Sequence, residues 1–287
     1  GLDLVQPLGL DRASLSTLLR TAQSSYEDPQ PGLRRANPYH CALHGADVLV
    51  STVSMLDALP PHVTSMLGAD VLRPMSSGGG ELAGARAIAP LPLFAVTFGA
   101  LMHDYRHRGV TNRCLVMMRD PLAVIYSDDS VLERAHCANA FMLARETGVL
   151  APLRDADFAT FRWLAIKLML ATDLTHGMQT VVSVRSLFGE LFAAEESGAA
   201  PPASSGAPPA AAASSGGGSD RLAPVLSLVV ECADLAHPAR PLLQHQMWSV
   251  LVTEEFYAQG DLENELHLPL SPLCDSSRDA EAFCASQ

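Results

Sequence analysis

Lysine is almost absent from this chain of 287 residues. Lys167 stands alone against 18 arginines, and the basic residues are scattered. With 31 acidic residues the formal charge is −12, which argues against a nucleic-acid binder, because phosphate backbones are held by grouped Lys and Arg. An acidic chain still binds a phosphate monoanion where metal ions provide the positive charge. Aromatics are few, at 6%, and Val, Ile and Thr never alternate with polar residues long enough to demand a sheet. No run approaches the roughly 18 unbroken apolar residues of a membrane span. The six cysteines, at 41, 114, 137, 232, 274 and 284, show no C-x-x-C spacing. Small buried thiols in a reducing, cytoplasmic (intracellular) setting are therefore expected, not a zinc ribbon or a disulfide scaffold. The N-terminus lacks Met and any signal-like segment, so the chain reads as cut from a longer protein. Regulatory domains or a membrane attachment outside it stay open.

What is present is apolar and helical. The hydrophobic fraction is 48%, enough for a sizeable core. Helical spacing runs through 10–24, 39–59, 91–104, 121–125, 130–146, 158–184, 222–235 and 240–259. Leu164, Ile166, Leu168, Met169 and Leu170 are apolar on more than one face, as in a central helix. The fold class expected is all-α: one compact multi-helix domain over 1–287. Two stretches read as insertions. Residues 73–88 contain Ser76-Ser77-Gly78-Gly79-Gly80, and 197–219 is dominated by Ser, Gly, Ala and Pro, a composition that cannot bury enough surface to fold.

The chemistry concentrates in His103-Asp104-Tyr105-Arg106-His107, at the end of the apolar run Leu93–Met102. Adjacent imidazole and carboxylate suit a divalent cation, nitrogen favouring zinc-like and oxygen magnesium-like ions. Alone, such a pair is weak evidence. Upstream, His40 and His44 stand at i and i+4, a spacing that predicts both rings on one helical face. Downstream, Asp234 follows the apolar run Val225–Val230. Between them Asp128 is placed to start a helix carrying Glu133 and His136.

Together these motifs resemble the catalytic domain of the class I cyclic nucleotide phosphodiesterases. The resemblance runs in order through Y-H-x-x-x-H from Tyr39 and H-D-x-x-H-x-G-x-x-N from His103. It continues with D-x-S-V-L-E from Asp128, L-A-T-D from Leu170, C-A-D-L-x-x-P from Cys232, E-E-F-x-x-Q-G-D from Glu254 and S-P-L-C-D from Ser271. His103-Asp104-Tyr105 and Ala233–Ala239 are most similar to the calmodulin-stimulated branch.

The resemblance implies a compact HD-type helical catalytic domain with a deep metal-containing pocket, hydrolysing cAMP, cGMP or both to the 5′-monophosphate. It implies two divalent ions: zinc on His44, His103, Asp104 and Asp234, and magnesium or manganese sharing Asp104. It makes His40 the general acid, with Glu255 orienting it. His107, Glu133, His136 and Thr172 would hold waters around the ions. Tyr39, Leu174, His237, Val252 and Leu273 would line the nucleotide pocket. Gln287 aligns with the purine-binding amide, which implies a domain incomplete at its C-terminus.

Plainer readings stand beside these. Glu133 also reads as an exposed helical carboxylate, Thr172 as a helix back-bonder, His136 as a satisfied core histidine, Trp248 as core, and Gln287 as an unrelated terminal residue. For the whole chain, two alternatives remain. One is a non-catalytic cyclic-nucleotide sensor, which would bind without turnover. The other is a His-Asp phosphohydrolase of another nucleotide, against which Y-H-x-x-x-H and C-A-D-L-x-x-P count.

Overall fold

The computed structural model describes residues 3–27, 37–60, 63, 88–189 and 218–277. Cys284, Gln287 and the two expected insertions lie outside them, apart from Ile88 and the residues from Gly218 on. The described residues form eleven α-helices and no strand, as the all-α expectation required. They are α1 (Val5–Leu8), α2 (Arg12–Glu27), α3 (Ala42–Ala58), α4 (Pro90–Met102), α5 (Asn112–Met118) and α6 (Pro121–Ile125). After these come α7 (Val131–Thr147), α8 (Asp155–Leu170), α9 (Gly177–Leu187), α10 (Gly218–Asp234) and α11 (Leu242–Glu265). A 3-10 turn, His237–Ala239, leads from α10 into α11. Among the described residues no helix is long and apolar enough to cross a membrane.

The centre is α4. Its sequence has no polar face, and the structure buries it all round, against α8 and α3. Pro90 at the first helical position needs no amide partner and has its φ preset. Leu93, Val96 and Met102 are wholly removed from water, as are Phe161 and Leu168 of α8. Phe94 stacks on Phe161 with ring centroids 4.9 Å apart, and Phe98 meets the same ring edge-on at 5.4 Å. Each such side chain contributes about 1.5–3 kcal/mol relative to exposure. A helix held on every side fixes its own end, and His103 caps that end. α3 crosses α4 very closely: a Cβ on Gly45 would sit 2.9 Å from the Leu101 carbonyl oxygen. The absent side chain brings His44 to the end of α4.

Several boundaries differ from the spacing. The expected helix 158–184 is two helices broken at 171–176. There Asp173 accepts from Thr175 N–H at 3.0 Å and from Ser130 Oγ at 2.7 Å, a turn that competes with helix continuation. Asp128 does not start α7. It has φ +61°, donates its N–H to the Ala123 carbonyl, and leaves Ser130 at the helix start. Gly9 at φ +63° separates α1 from α2. Cys232 is exposed and Cys41 half-buried, contrary to the expected burial, while Cys114, Cys137 and Cys274 are buried. Cys232 falls on the side of α10 turned away from its neighbours.

Candidate metal centre and active site

Four side chains converge where α3, α4 and α10 meet. His44 comes from the first turn of α3, His103 and Asp104 from the end of α4, and Asp234 from the last residue of α10. One ligand atom from each lies within 4.8 Å of the others. His44 Nε2 is 3.0 Å from Asp234 Oδ1 and 3.4 Å from Asp104 Oδ2. His103 Nε2 is 2.9 Å from Asp104 Oδ2 and 3.3 Å from Asp234 Oδ1. The two carboxylates face the two imidazoles. Burial opposes charge on the rings, but Asp104 and Asp234 override it and raise both histidines. Burial likewise works against the carboxylates, and His103 leads the groups that hold Asp104 and Asp234 well below the usual range.

The donor set fits a divalent cation. His103 Nδ1 donates to the Ala100 carbonyl oxygen at 2.9 Å, which fixes Nε2 as the ring atom facing the cluster. That Nε2 is buried and, close as the carboxylates are, aligned with none of them as a hydrogen bond. A nitrogen orphaned at such depth costs stability unless an ion engages it. Two imidazoles and two carboxylates at one point, with the Asp104 and Asp234 side chains keeping some exposure, match a catalytic site better than a closed structural one.

His40 stands beside this cluster. The i, i+4 expectation placed it on one helical face with His44, but α3 begins only at Ala42. The cause is Glu255 of α11. Its Oε2 accepts the N–H groups of Tyr39 (3.1 Å) and His40 (3.0 Å), holding both residues outside the helix. Its Oε1 makes a short contact with His40 Nδ1. His40 Nε2 is then turned toward the cluster, 3.9 Å from Asp104 Oδ2. Burial would lower the His40 pKa, but Glu255 and Asp104 outweigh it and raise it to about 9. Burial works against the Glu255 carboxylate, yet His40 draws its pKa down to about 2. Glu255 thus contacts both the backbone and the ring of His40.

The ring of His107 stacks on His40 at 3.7 Å. Its Nδ1 accepts from Gly109 N–H at 3.0 Å, and burial together with His40 keeps it neutral. His136 is buried with both ring nitrogens unpartnered, Nδ1 3.6 Å from Asp104 Oδ1, so it is not a satisfied core histidine. Burial lowers its pKa to about 4. Glu133 is half-buried, accepts from Asn112 Nδ2 at 3.0 Å, and is raised by burial. Thr172 is the back-bonder of its plainer reading: its hydroxyl donates to the Met169 carbonyl at 2.9 Å.

The pocket-lining expectations divide. The Tyr39 ring lies 4.6 Å from His44 and meets Trp248 edge-on at 5.6 Å, so Trp248 packs on the site and not in a remote core. His237 meets Tyr39 at 6.3 Å, and Val252 lies one turn before Glu255 on α11. Leu273 sits in a tight turn at φ +65°, while Leu174 is mostly exposed. The turn presses on α11, where a Cβ on Gly260 would come 1.9 Å from the Cys274 carbonyl oxygen.

Three polar residues were not anticipated as parts of the site. Asn37 donates to the His107 carbonyl at 2.8 Å. Asn112 also accepts from Leu132 N–H at 2.8 Å, tying α5 to α7 beneath Glu133. Gln259 accepts from Thr111 N–H at 2.9 Å and donates to Glu263, which in turn holds Ser271. Asn112 and Gln259 occupy fixed places in the motifs and were legible there. Asn37 carried no signal.

Residues 39–287 match the 3′,5′-cyclic nucleotide phosphodiesterase family. The dual specificity calcium/calmodulin-dependent 3′,5′-cyclic nucleotide phosphodiesterase 1 of Drosophila melanogaster is 33% identical over 244 residues, 84% of this chain and 24% of that protein. The corresponding phosphodiesterase 1C of Mus musculus is 29% identical over 276 residues, 95% of this chain and 31% of that protein. The chain thus spans between a quarter and a third of these relatives. In structure it is similar to the phosphodiesterase domain of the RhoPDE fusion protein from the choanoflagellate Salpingoeca rosetta. The TM-score is 0.70 at 22% identity, covering 99% of this chain and 74% of that one.

Proposed function

The chain belongs to the 3′,5′-cyclic nucleotide phosphodiesterase family, and from that premise we propose that it hydrolyses 3′,5′-cyclic nucleotides to nucleoside 5′-monophosphates. The observation that carries the reading is the Glu255–His40 unit, which aims a protonated Nε2 at a cluster able to hold a metal. A cyclic phosphodiester is an anion that water attacks poorly. The reaction needs charge neutralised at phosphorus, a positioned water, and a proton for the departing 3′ oxygen.

His44, His103, Asp104 and Asp234 would hold the tighter ion, zinc, which two nitrogens favour. Asp104 would share a second, magnesium or manganese. Divalent ions bound there supply positive charge to the phosphoryl oxygens and acidity to water. The protein's own residues do the rest. His40 donates its Nε2 proton to the 3′ oxygen as the P–O3′ bond breaks and the bond from phosphorus to the water oxygen forms. The proton that water releases restores the acid. Glu255 fixes the ring and holds it protonated. His107, Glu133 and His136 supply lone pairs and protons around Asp104, where ordered water is oriented. Tyr39, His237, Val252, Leu174 and Leu273 would border the nucleotide.

The test is hydrolysis of cAMP and cGMP with Mg²⁺ or Mn²⁺, with the product identified, for the chain, His40→Ala and Asp234→Ala. Release of 5′-monophosphate, lost in both variants, is expected. Tight nucleotide binding without turnover by the metal-loaded, folded chain would replace the reading with a sensor. Turnover equal in all three proteins would overturn the residue roles.

A further inference from the structure

Beyond the four-residue cluster, a second pair of histidines has a geometry of its own. His237 lies in the 3-10 turn and His245 in the first turns of α11. Their rings are nearly parallel, 20° apart with centroids at 5.2 Å, and their Nδ1 atoms face each other at 3.1 Å. Only one proton fits between two such nitrogens, so at least one ring presents a lone pair. Two imidazole nitrogens each bound about 2.0–2.1 Å from one ion stand about 2.8–3.4 Å apart at bond angles of about 90–110°. The observed separation falls inside that range.

We propose that His237 and His245 form an additional binding site for a divalent transition-metal ion, distinct from the cluster of His44, His103, Asp104 and Asp234. Two nitrogen donors select copper, nickel or zinc over magnesium and calcium, which demand oxygen. Both rings are partly exposed, so an ion reaches them and water completes its coordination. The pair is preorganised from the chain upward. Pro238 and Pro241 stiffen the connection between the two helices. Arg240 between them is anchored across to α3, on Asp47 at 3.3 Å and on Ser51. That anchor also occupies Asp47, which leaves the two imidazoles as the protein donors. Ser249 Oγ lies 3.5 Å from His245 Nδ1.

The position gives the site a consequence. The Tyr39 ring contacts His237 on one side and His44 on the other. An ion clamping His237 to His245 would fix the turn that forms one border of the proposed nucleotide pocket. It would join Asp234's end of α10 to the start of α11.

The test uses the chain already saturated with zinc and magnesium, titrated with Cu²⁺, beside His245→Ala and His245→Phe. The phenylalanine variant keeps the ring volume and removes the nitrogen. The wild type is expected to take up one Cu²⁺ more than either variant, at least tenfold more tightly than any residual binding. Pulsed electron paramagnetic resonance of that extra ion is expected to report two coordinated imidazoles. Equal copper stoichiometry in the three proteins, or an extra ion with one imidazole, would overturn the site. Unchanged far-ultraviolet circular dichroism of the variants shows that loss of copper is not loss of fold.

Discussion

The α4–α8 seam and the end of α4 share one helix and obey opposite rules. Along the seam Leu93, Val96, Phe161 and Leu168 are buried and nothing needs a partner. At the helix end His103 is just as deep, yet its Nε2 faces two carboxylates with no aligned hydrogen bond to either. The first region holds the fold together by removing carbon from water. The second draws on that stability, since two carboxylates and two imidazoles are kept where burial disfavours their charge. Depth is a tool in both regions, for packing in one and for strengthening electrostatics in the other.

Breaking the two regions should therefore give different phenotypes. The largest effect belongs to the polar end: Asp234→Asn, nearly isosteric, is expected to abolish hydrolysis while circular dichroism stays that of the parent. Measurable turnover above about one-hundredth of the parent would separate Asp234 from the ion. Next comes the seam. Phe161→Ala is expected to lower unfolding free energy by about 3–5 kcal/mol, the usual range for an emptied aromatic site, measured by urea denaturation. Metal dependence and specific activity of the folded fraction should not change. A loss under 1 kcal/mol would mean that the seam does not carry the fold.

Smaller effects sharpen the boundary. His40→Ala is expected to lower turnover by about 10²–10⁴-fold, the range for a general acid, with stability little changed. Glu255→Gln should act through His40. Hydrolysis needs the protonated ring, whose pKa is raised to about 9 because Glu255 and Asp104 outweigh burial. Removing the carboxylate charge lowers that pKa, so the alkaline limb of the pH–rate profile should move to lower pH. A limb that stays in place would remove Glu255 from the mechanism.

Much of this division was legible in the sequence. The apolar run before His103 announced a buried helix ending in a His-Asp pair, and Asp234 lay at the end of another. What escaped was set by contacts distant along the chain. His40 was expected inside a helix because i, i+4 spacing is local, whereas the carboxylate that holds it outside comes from Glu255, 215 positions away. The break at 171–176 escaped because apolar spacing continues through it, while the partner that Asp173 accepts from, Ser130, lies 43 positions away at the start of α7. Thr172 fits its motif, yet its hydroxyl turns back on its own helix. The His237–His245 pair could not be seen as a pair, since its geometry depends on the bend between α10 and α11.

The most direct test of the contrast is calorimetric unfolding of the parent, Asp234→Asn and Phe161→Ala, each with and without added zinc and manganese. A ligand at 100 times its dissociation constant stabilises the folded state by about 2.7 kcal/mol. A metal-dependent rise in Tm is expected for the parent and for Phe161→Ala from its lower baseline, and a clearly smaller one, through the separate His237–His245 pair alone, for Asp234→Asn. An equal rise in all three proteins, or none in the parent, would contradict the assignment of the polar end as the metal centre.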